Sequence, residues 1–457
     1  MEVNHEAFAT PGKIAGQRNT LLNVSDGRPT SPFSTNGNHG TACAGVACAD
    51  APNGTKGVAP EAKLMALVCG SLGSLSEAVA FEWAADNGAD IISCSWGPSD
   101  GPWYLPTHPS HSTVFAIPDS TRYALEYAAR QGRKGKGCII LWAAGNGNES
   151  VDIDGYSSNE NVIAVAACND SGRRSIYSDY GNAIWCSFPS NDFMYAPLHQ
   201  PKPLTPGIWT ADISGGAGSN RGSFMKKNAA EDDPGNYTAT FGGTSSACPG
   251  AAGVAALILS VNPDLTREQV KDILKNACDK IDAGFGNYNP LGHSPFYGYG
   301  RLNAAKAVNL AKDTLPKQLA LNIDGVVRYR DTGNRILTDG TWAETIDEND
   351  RVLGVQIKIL PANPDVGISY QVFTSELTAL PVASDGQMLA IKDKRKKITG
   401  FSAVLTGAMA AQFELVYKVR FFGVKAEVVG RDGSLCGDKT GKGPGITGLN
   451  ISVKKKV

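Results

Sequence analysis

Over its first two-thirds the chain alternates short apolar runs with helical patterns. "AKLMALV", "ADIISCSW", "GCIILWAAG" and "NVIAVAAC" are bounded by Gly, Asn or Asp and read as buried strands. Between them, "SLSEAVAFEWAADNG" and "DSTRYALEYAARQG" carry apolar residues at helical spacing and end on glycine. Near-continuous apolar strands alternating with helices predict an α/β domain over residues 1–313, a parallel sheet with helices on both faces. Ligands of such sheets bind at the carboxyl ends of the strands.

After a linker expected at 314–323 the pattern changes. From 324 to 457 period-two alternation dominates and no helical pattern occurs. The stretch also repeats itself: "VVRYRDTG…TDGTW…RVLGVQIKIL", then "GISYQVF…SDGQM…KITGFSAVL", then "LVYKVRFF…RDGSL…GITGLNISV". Asp-Gly pairs begin at Asp339, Asp385 and Asp432, and Gly354, Gly400 and Gly448 keep the same step. Asp-Gly suits hairpin turns because both positions tolerate positive φ. Three units of about 47 residues predict a smaller all-β domain of three repeats, of β-prism or trefoil type. Tyr329, Tyr370 and Tyr417 recur at similar repeat positions and are expected in its core.

Composition narrows the function. With 43 basic and 44 acidic side chains the formal charge is -1, which gives no electrostatic case for nucleic acid or an anionic membrane as partner. No run approaches the roughly 20 apolar residues of a membrane span, and no signal-peptide pattern opens the chain. The ten cysteines sit mostly in apolar runs, as Cys94, Cys138 and Cys168 do, without a CxxC pair or zinc spacing. They are expected as buried thiols, not as a disulfide framework.

Three stretches carry candidate chemistry. In "GNHGTACAGVA", small residues after His39 let a helix pack closely and present the imidazole at its start; alone, such a histidine reads as structural. In "FGGTSSACPGAAGVAALILS", Ser245 stands at the start of an apolar helix, where backbone N–H groups and the helix dipole favour developing negative charge. Alone, it reads as a cap. In "IILWAAGNGNES", Asn146 follows a buried strand, and its amide can donate to an oxyanion; alone, Asn-Gly reads as a turn. A histidine base, a serine at a helix start and an amide donor together form an acyl-transfer constellation.

In this order, "HGTACAG", "AAGN" and "GTSSACPGAAGVAAL", with the later "YGYGRLNAAKAV", resemble the subtilisin-like serine peptidases over about residues 1–312. The resemblance implies a subtilisin-like sheet and a serine endopeptidase acting on polypeptides, with His39 as general base, Ser245 as nucleophile and Asn146 as oxyanion donor. Ser246 lies alongside, but the Gly-Thr-Ser register favours Ser245. Ser95, Trp96 and Gly97 match the family's segment that pairs with the substrate backbone, an edge-strand mode of recognition. The family also implies a secreted or cell-surface location.

"SWGPSDG", "GRKGKGCIILWAAGNG", "DGYSS" and "YSD" resemble the kexin and furin branch. In that branch acidic residues and a calcium ion shape a pocket for a basic P1 side chain. Asp100, Asp154 and Asp179 fall at matching motif positions as substrate-binding residues. Asp100 and Asp179, with Asp152, are the expected ligands of Ca²⁺. Carboxylates hold a guanidinium bidentately, and hard oxygen ligands suit calcium. Two features depart from the branch: "SWGPSDG" has one acidic residue fewer, and the loop after Asn146 is shorter. "ADAPNGTKGVAP" resembles a structural calcium loop, with Asp50 and Asn53 as candidate ligands. "HPSH", His108 to His111, reads as a solvated loop.

The opening "MEVNHEAF" resembles the family segment that follows the catalytic aspartate, with His5 on its histidine. By that alignment the aspartate falls about three residues before Met1. Asp26, in "VSDGRP", reads as a turn residue. A truncated chain lacking the third triad member and its strand is therefore expected. The rival reading is an inactive subtilase scaffold whose β domain binds carbohydrate or a cell surface, by fold analogy.

Overall fold

The computed structural model describes residues 1–21, 35–224, 231–315, 320–345, 347, 349–376 and 379–456; Asp26 lies outside them. The chain forms two compact units, Met1–Pro316 and Lys317–Val457.

The first unit runs β1 (Ile14–Asn19), α1 (Thr35–Cys48), β2 (Leu64–Val68), α2 (Leu75–Asp86), β3 (Ile91–Cys94), α3 (Asp119–Gln131), β4 (Ile139–Ala143), β5 (Ile163–Cys168) and β6 (Ile184–Pro189). It continues through β7 (Ile208–Ala211), β8 (Tyr237–Phe241), α4 (Thr244–Val261), α5 (Arg267–Asn276), β9 (Cys278–Asp279), β10 (Arg301–Leu302) and α6 (Ala304–Asp313). The four apolar runs are β2 to β5, and the two helical patterns are α2 and α3. A six-stranded sheet has the order β3-β4-β5-β6-β10-β9, parallel except at β9. β1 and β2 form a separate parallel pair, and β7 and β8 an antiparallel one.

β4 shows why its sequence is apolar throughout. Ile140 and Trp142 face a cluster with Phe81 of α2 and Leu125 of α3. Ile139, Leu141 and Ala143 face α4, α5 and α6 on the other side. Successive side chains alternate between two covered faces, so no position is left for a polar residue. α4 is the one described helix long and apolar enough to cross a bilayer by length and composition, and 72% of it is buried inside the protein, as a core helix is. All ten cysteines are unpaired and seven are buried.

The second unit runs β11 (Asn322–Tyr329), β12 (Asn334–Thr338), β13 (Trp342–Glu344), β14 (Val352–Leu360), β15 (Gly367–Thr374), β16 (Ala383–Ser384), β17 (Leu389–Ala390), β18 (Ile398–Thr406), β19 (Phe413–Phe421), β20 (Val428–Arg431), β21 (Cys436–Gly437) and β22 (Ile446–Lys455). β11 begins inside the stretch expected to be linker. The strands form three four-stranded antiparallel sheets, β12-β11-β14-β17, β16-β15-β18-β21 and β13-β22-β19-β20. In each run of four, the short third strand leaves its own run and pairs with the last strand of another: β13 with β22, β17 with β14, β21 with β18. The Asp-Gly turns sit just before these exchanged strands. Their Gly340, Gly386 and Gly433 N–H groups donate to Ile451, Ile357 and Ala403, again across runs.

The register corrects the expected tyrosine repeat. Each long pair shifts before its last residue, at Arg328/Tyr329, Phe373/Thr374 and Arg420/Phe421. Counting back from there, Tyr370 and Tyr417 correspond, and Gly325 occupies the position in the first run. Tyr329 corresponds to Thr374 and Phe421. All three tyrosines are buried in one core, so burial was legible and equivalence was not. The numbers already differ, since Tyr329 precedes Tyr370 by fewer residues than Tyr370 precedes Tyr417.

Candidate active site

α4 begins where Gly243, at φ +74°, turns the chain out of β8. The turn is fixed from below: Gly243 N–H donates to Tyr177 Oη at 3.1 Å and Asn191 Oδ1 at 3.0 Å. Ser245 is half-buried in the first turn, where helix N–H groups lack intrahelical acceptors. Its neighbour Ser246 is fully buried and bonded to Ser190 Oγ at 2.7 Å and the Gly243 carbonyl at 3.2 Å. Of the two serines, only Ser245 is reachable.

Pro249 shapes what surrounds Ser245. An N–H at position 249 would bond the Ser245 carbonyl in a regular helix, and proline has none. That carbonyl instead accepts from Ser95 Oγ at 3.1 Å and Cys43 Sγ at 3.5 Å. The first bond attaches the Ser95–Gly97 segment to Ser245. The second attaches α1, because the same Cys43 Sγ lies 3.8 Å from His39 Nδ1. His39 stands edge-on to Phe241, with ring centroids 5.7 Å apart. Burial lowers its pKa, which keeps the imidazole neutral and able to take a proton. Among the described residues the side-chain group beside Nδ1 is that thiol and not a carboxylate. A cavity of about 370 Å³ opens next to His39, lined by Asn38, Ala42, Asp212, Thr240, Phe241 and Gly242.

Asn146 follows β4 in the loop at its carboxyl end. Its Oδ1 accepts from Thr244 N–H at 2.8 Å and Thr244 Oγ1 at 3.1 Å. Both contacts use the oxygen, which leaves Nδ2 to donate beside the start of α4.

The acidic residues divide. Asp100 Oδ2 accepts from Asn146 N–H at 2.7 Å. Asp179, 3% exposed, accepts from Gly147 and Glu149 N–H at 2.8 and 3.0 Å. With Glu149 they form a trio in which one carboxylate oxygen from each lies within 4.8 Å of the others. Gly145, at φ +114°, passes so close that any Cβ would strike Asp179 Oδ2. Burial, then its carboxylate neighbours against the Asn146 hydrogen bond, pushes Asp100 up to about 6. Burial and the Asp100 charge push Asp179 well above the ordinary carboxylate range. Oxygens sharing one calcium ion at 2.3–2.6 Å stand at most about 5 Å apart, so the trio fits a hard divalent cation. Asp154 lies across from the Ser95–Gly97 segment, its Oδ2 3.8 Å from where a Gly97 Cβ would stand. Burial raises its pKa against hydrogen bonds from Ser157 and Tyr156.

Two expectations change here. Asp152 is not in the trio; its oxygens accept from Asn182 and Ala183 N–H at 3.0 Å each, so it caps a turn. Glu149 takes the third position, three residues after Asn146, where the sequence offers no spacing signal. His111 is not solvated: its Nδ1 meets Glu149 Oε2 at 2.6 Å and its Nε2 the Leu105 carbonyl at 2.9 Å. In the "ADAPNGTKGVAP" loop, Asp50 is taken by Lys56 and by Thr10, and Asn53 Oδ1 by Thr55 N–H at 2.9 Å.

A serine on a helix start, a neutral imidazole and an amide donor are gathered at the carboxyl edge of a covered parallel sheet, the set of groups that acyl transfer needs. The subtilase family pattern matches residues 4–300, and the chain belongs to that family. It is 56% identical over 322 residues to a protein of Nostoc sp. named calcium-dependent protease, covering 70% of this chain and 46% of that one. It is 31% identical over 287 residues to kexin of Candida albicans, covering 60% and 26%. The chain thus spans less than half the length of these relatives. The serine protease of Aeromonas sobria shares its fold at 18% identity, with a TM-score of 0.54 over 98% of this chain and 86% of that one.

Proposed function

We propose that the chain is the catalytic part of a calcium-binding serine endopeptidase that cleaves after basic residues. The observation that carries this reading is Ser245, reachable on the first turn of α4 and joined through its own carbonyl to both Ser95 and the helix of His39. Ser245 Oγ attacks the scissile carbonyl carbon while His39 takes its proton. The oxyanion receives hydrogen bonds from Asn146 Nδ2 and the first-turn N–H groups. His39 then passes the proton to the leaving amine, and water repeats the sequence on the acyl-enzyme. Asp154, with Asp100 and Asp179 behind the pocket, supports a guanidinium or ammonium at P1. Asp100, Glu149 and Asp179 would hold Ca²⁺, whose charge would keep all three carboxylates ionised.

The third triad member belongs to the same proposal. Among the described residues β2 pairs only with β1, and β3 only with β4. Yet Met65 and Leu67 of β2 pack on the cluster that contains Ile92 and Cys94 of β3. A further parallel strand between them would join the two sheets, and an aspartate at its carboxyl end would be placed to reach His39. For the second unit, the cyclic exchange of β13, β17 and β21 supports a pseudo-threefold prism. The thiol beside His39 Nδ1 favours a second reading, an inactive scaffold whose prism binds carbohydrate or a cell surface.

The test is fluorophosphonate labelling of this chain, and of the same chain extended by about 100 in-frame codons upstream, against their Ser245→Ala variants. Labelling of the extended chain that Ser245→Ala removes supports the peptidase. No labelling in either form, with glycan-array binding by the prism, favours the scaffold. Cleaved-peptide profiles dominated by Leu or Phe at P1 would sink the basic preference.

A further inference from the structure

Glu77 lies in the first turn of α2 and is fully buried. Among the described residues, each group that meets its carboxylate is a donor. Its Oε2 accepts from Gly73 N–H and Thr121 Oγ1 at 2.8 Å each and from Tyr156 Oη at 3.2 Å, and its Oε1 from Trp96 Nε1 at 3.3 Å. Burying a carboxylate is costly unless its lone pairs are filled. The polar groups that fill them come from Gly73 just before α2, from α3, from the loop after Asp154 and from the Ser95–Gly97 segment.

Two of those donors belong to segments that face each other, since Asp154 Oδ2 lies 3.8 Å from where a Gly97 Cβ would stand. Trp96 is the middle residue of the Ser95–Gly97 segment, and its carbonyl is held by Trp142 Nε1 at 2.6 Å. Tyr156 follows Asp154 by two residues, and Asp154 Oδ1 accepts Tyr156 N–H at 2.9 Å. Between them, the Trp96 and Trp142 ring centroids are 5.1 Å apart and those of Trp142 and Tyr156 5.3 Å. We propose that Glu77 is a positioning residue for substrate: its carboxylate ties Trp96 to Tyr156 and so sets the gap between the Ser95–Gly97 segment and Asp154. This rests on the reading of Ser95–Gly97 as the strand that receives the substrate.

The two oxygens make the idea separable from a general packing role. In Glu77→Gln the single amide oxygen can serve Gly73, Thr121 and Tyr156, and the NH₂ group then faces the Trp96 indole N–H, donor against donor. The substitution releases Trp96 first. Binding of tetrapeptide amides ending in Arg, Lys, Leu or Phe is measured for wild type, Glu77→Gln, Trp96→Phe and the double variant, and scored on whichever peptide wild type binds best. A loss of the basic preference therefore overturns the P1 reading without touching Glu77. The expected result is about a tenfold weaker Kd in each single variant and no further loss in the double variant. A Glu77→Gln effect that persists undiminished in the Trp96→Phe background overturns the proposal, as does wild-type affinity in Trp96→Phe should Glu77→Gln fail to fold. The Trp96 indole ¹H–¹⁵N resonance of the free protein gives a readout independent of peptide: it shifts upfield in Glu77→Gln, and an unmoved resonance overturns the proposal.

Discussion

Removing the Ser95 hydroxyl probes the one carbonyl on which the site is assembled. Pro249 deprives the Ser245 carbonyl of its helical donor, and Ser95 Oγ at 3.1 Å is the stronger of the two groups that replace it. The other is a thiol, a weak donor. Ser95→Ala therefore leaves a largely enclosed acceptor under-satisfied, at a cost of about 1–3 kcal/mol. Taking about 1.5 kcal/mol, with roughly 2–4 °C per kcal/mol for domains somewhat smaller than this one, the unfolding midpoint falls by about 3–6 °C. If the same energy is lost from the geometry of Ser245, labelling by a fluorophosphonate slows about tenfold.

The cause is isolated by restoring the missing donor. Pro249→Ala returns an N–H at the position from which a helix reaches the Ser245 carbonyl. In that background the Ser95 hydroxyl becomes redundant, and Ser95→Ala costs less than about 0.5 kcal/mol. The coupling between the two sites is then about 1 kcal/mol, within the range for residues sharing a partner. Thermal unfolding of the four proteins measures it. Equal cost of Ser95→Ala in both backgrounds would refute the account of Pro249, and no cost in either would refute the role of the hydrogen bond.

Ser245→Ala abolishes fluorophosphonate labelling of the upstream-extended chain. Ser246→Ala retains it and lowers stability by about 1 kcal/mol, since among the described residues Ser246 Oγ bonds Ser190 and the Gly243 carbonyl, away from the cleft. Calcium stabilises more as pH rises. Without a cation, Asp100 at about 6 and the raised Asp179 favour their protonated forms in the folded state, so their contribution is full below about pH 4 and is lost as pH rises through 6. A cation reverses this by favouring the carboxylates, so the difference in Tm between calcium and chelator is small at pH 5 and grows by pH 7.5; Asp179→Asn flattens that growth. In the second unit, Phe401 is fully buried beside Tyr417, with rings 5.3 Å apart, and Phe401→Ala costs about 3–5 kcal/mol, read by calorimetry in that unit's transition.

His39, Asn146 and Ser245 were legible because the backbone around each is specified locally. Small residues after His39, glycines around Asn146 and Gly242-Gly243-Thr244 before Ser245 are needed for close approach, and such requirements leave contiguous motifs. The strands were legible for a related reason, since a run buried on both faces, as Ile139–Ala143 is, has no freedom to be polar. The acidic residues obey a different rule. Whether an aspartate serves a cation or a turn depends on which backbone N–H groups lie within reach, and for Asp152 those belong to Asn182 and Ala183, thirty residues away. Glu149 joins Asp100 and Asp179 through the curvature of loops at three strand ends, so nothing in "GNGNES" marks it. Glu77 reads in sequence as an ordinary acidic residue of a helix's first turn, a place where the dipole welcomes it. Only the convergence of four donors, three of them from three other parts of the chain, distinguishes it. Local backbone demands are therefore written as motifs, whereas the destination of a carboxylate is written in the assembled fold. For this chain Ser245 and His39 belong to the first kind, and Asp100, Glu149, Asp179 and Glu77 belong to the second.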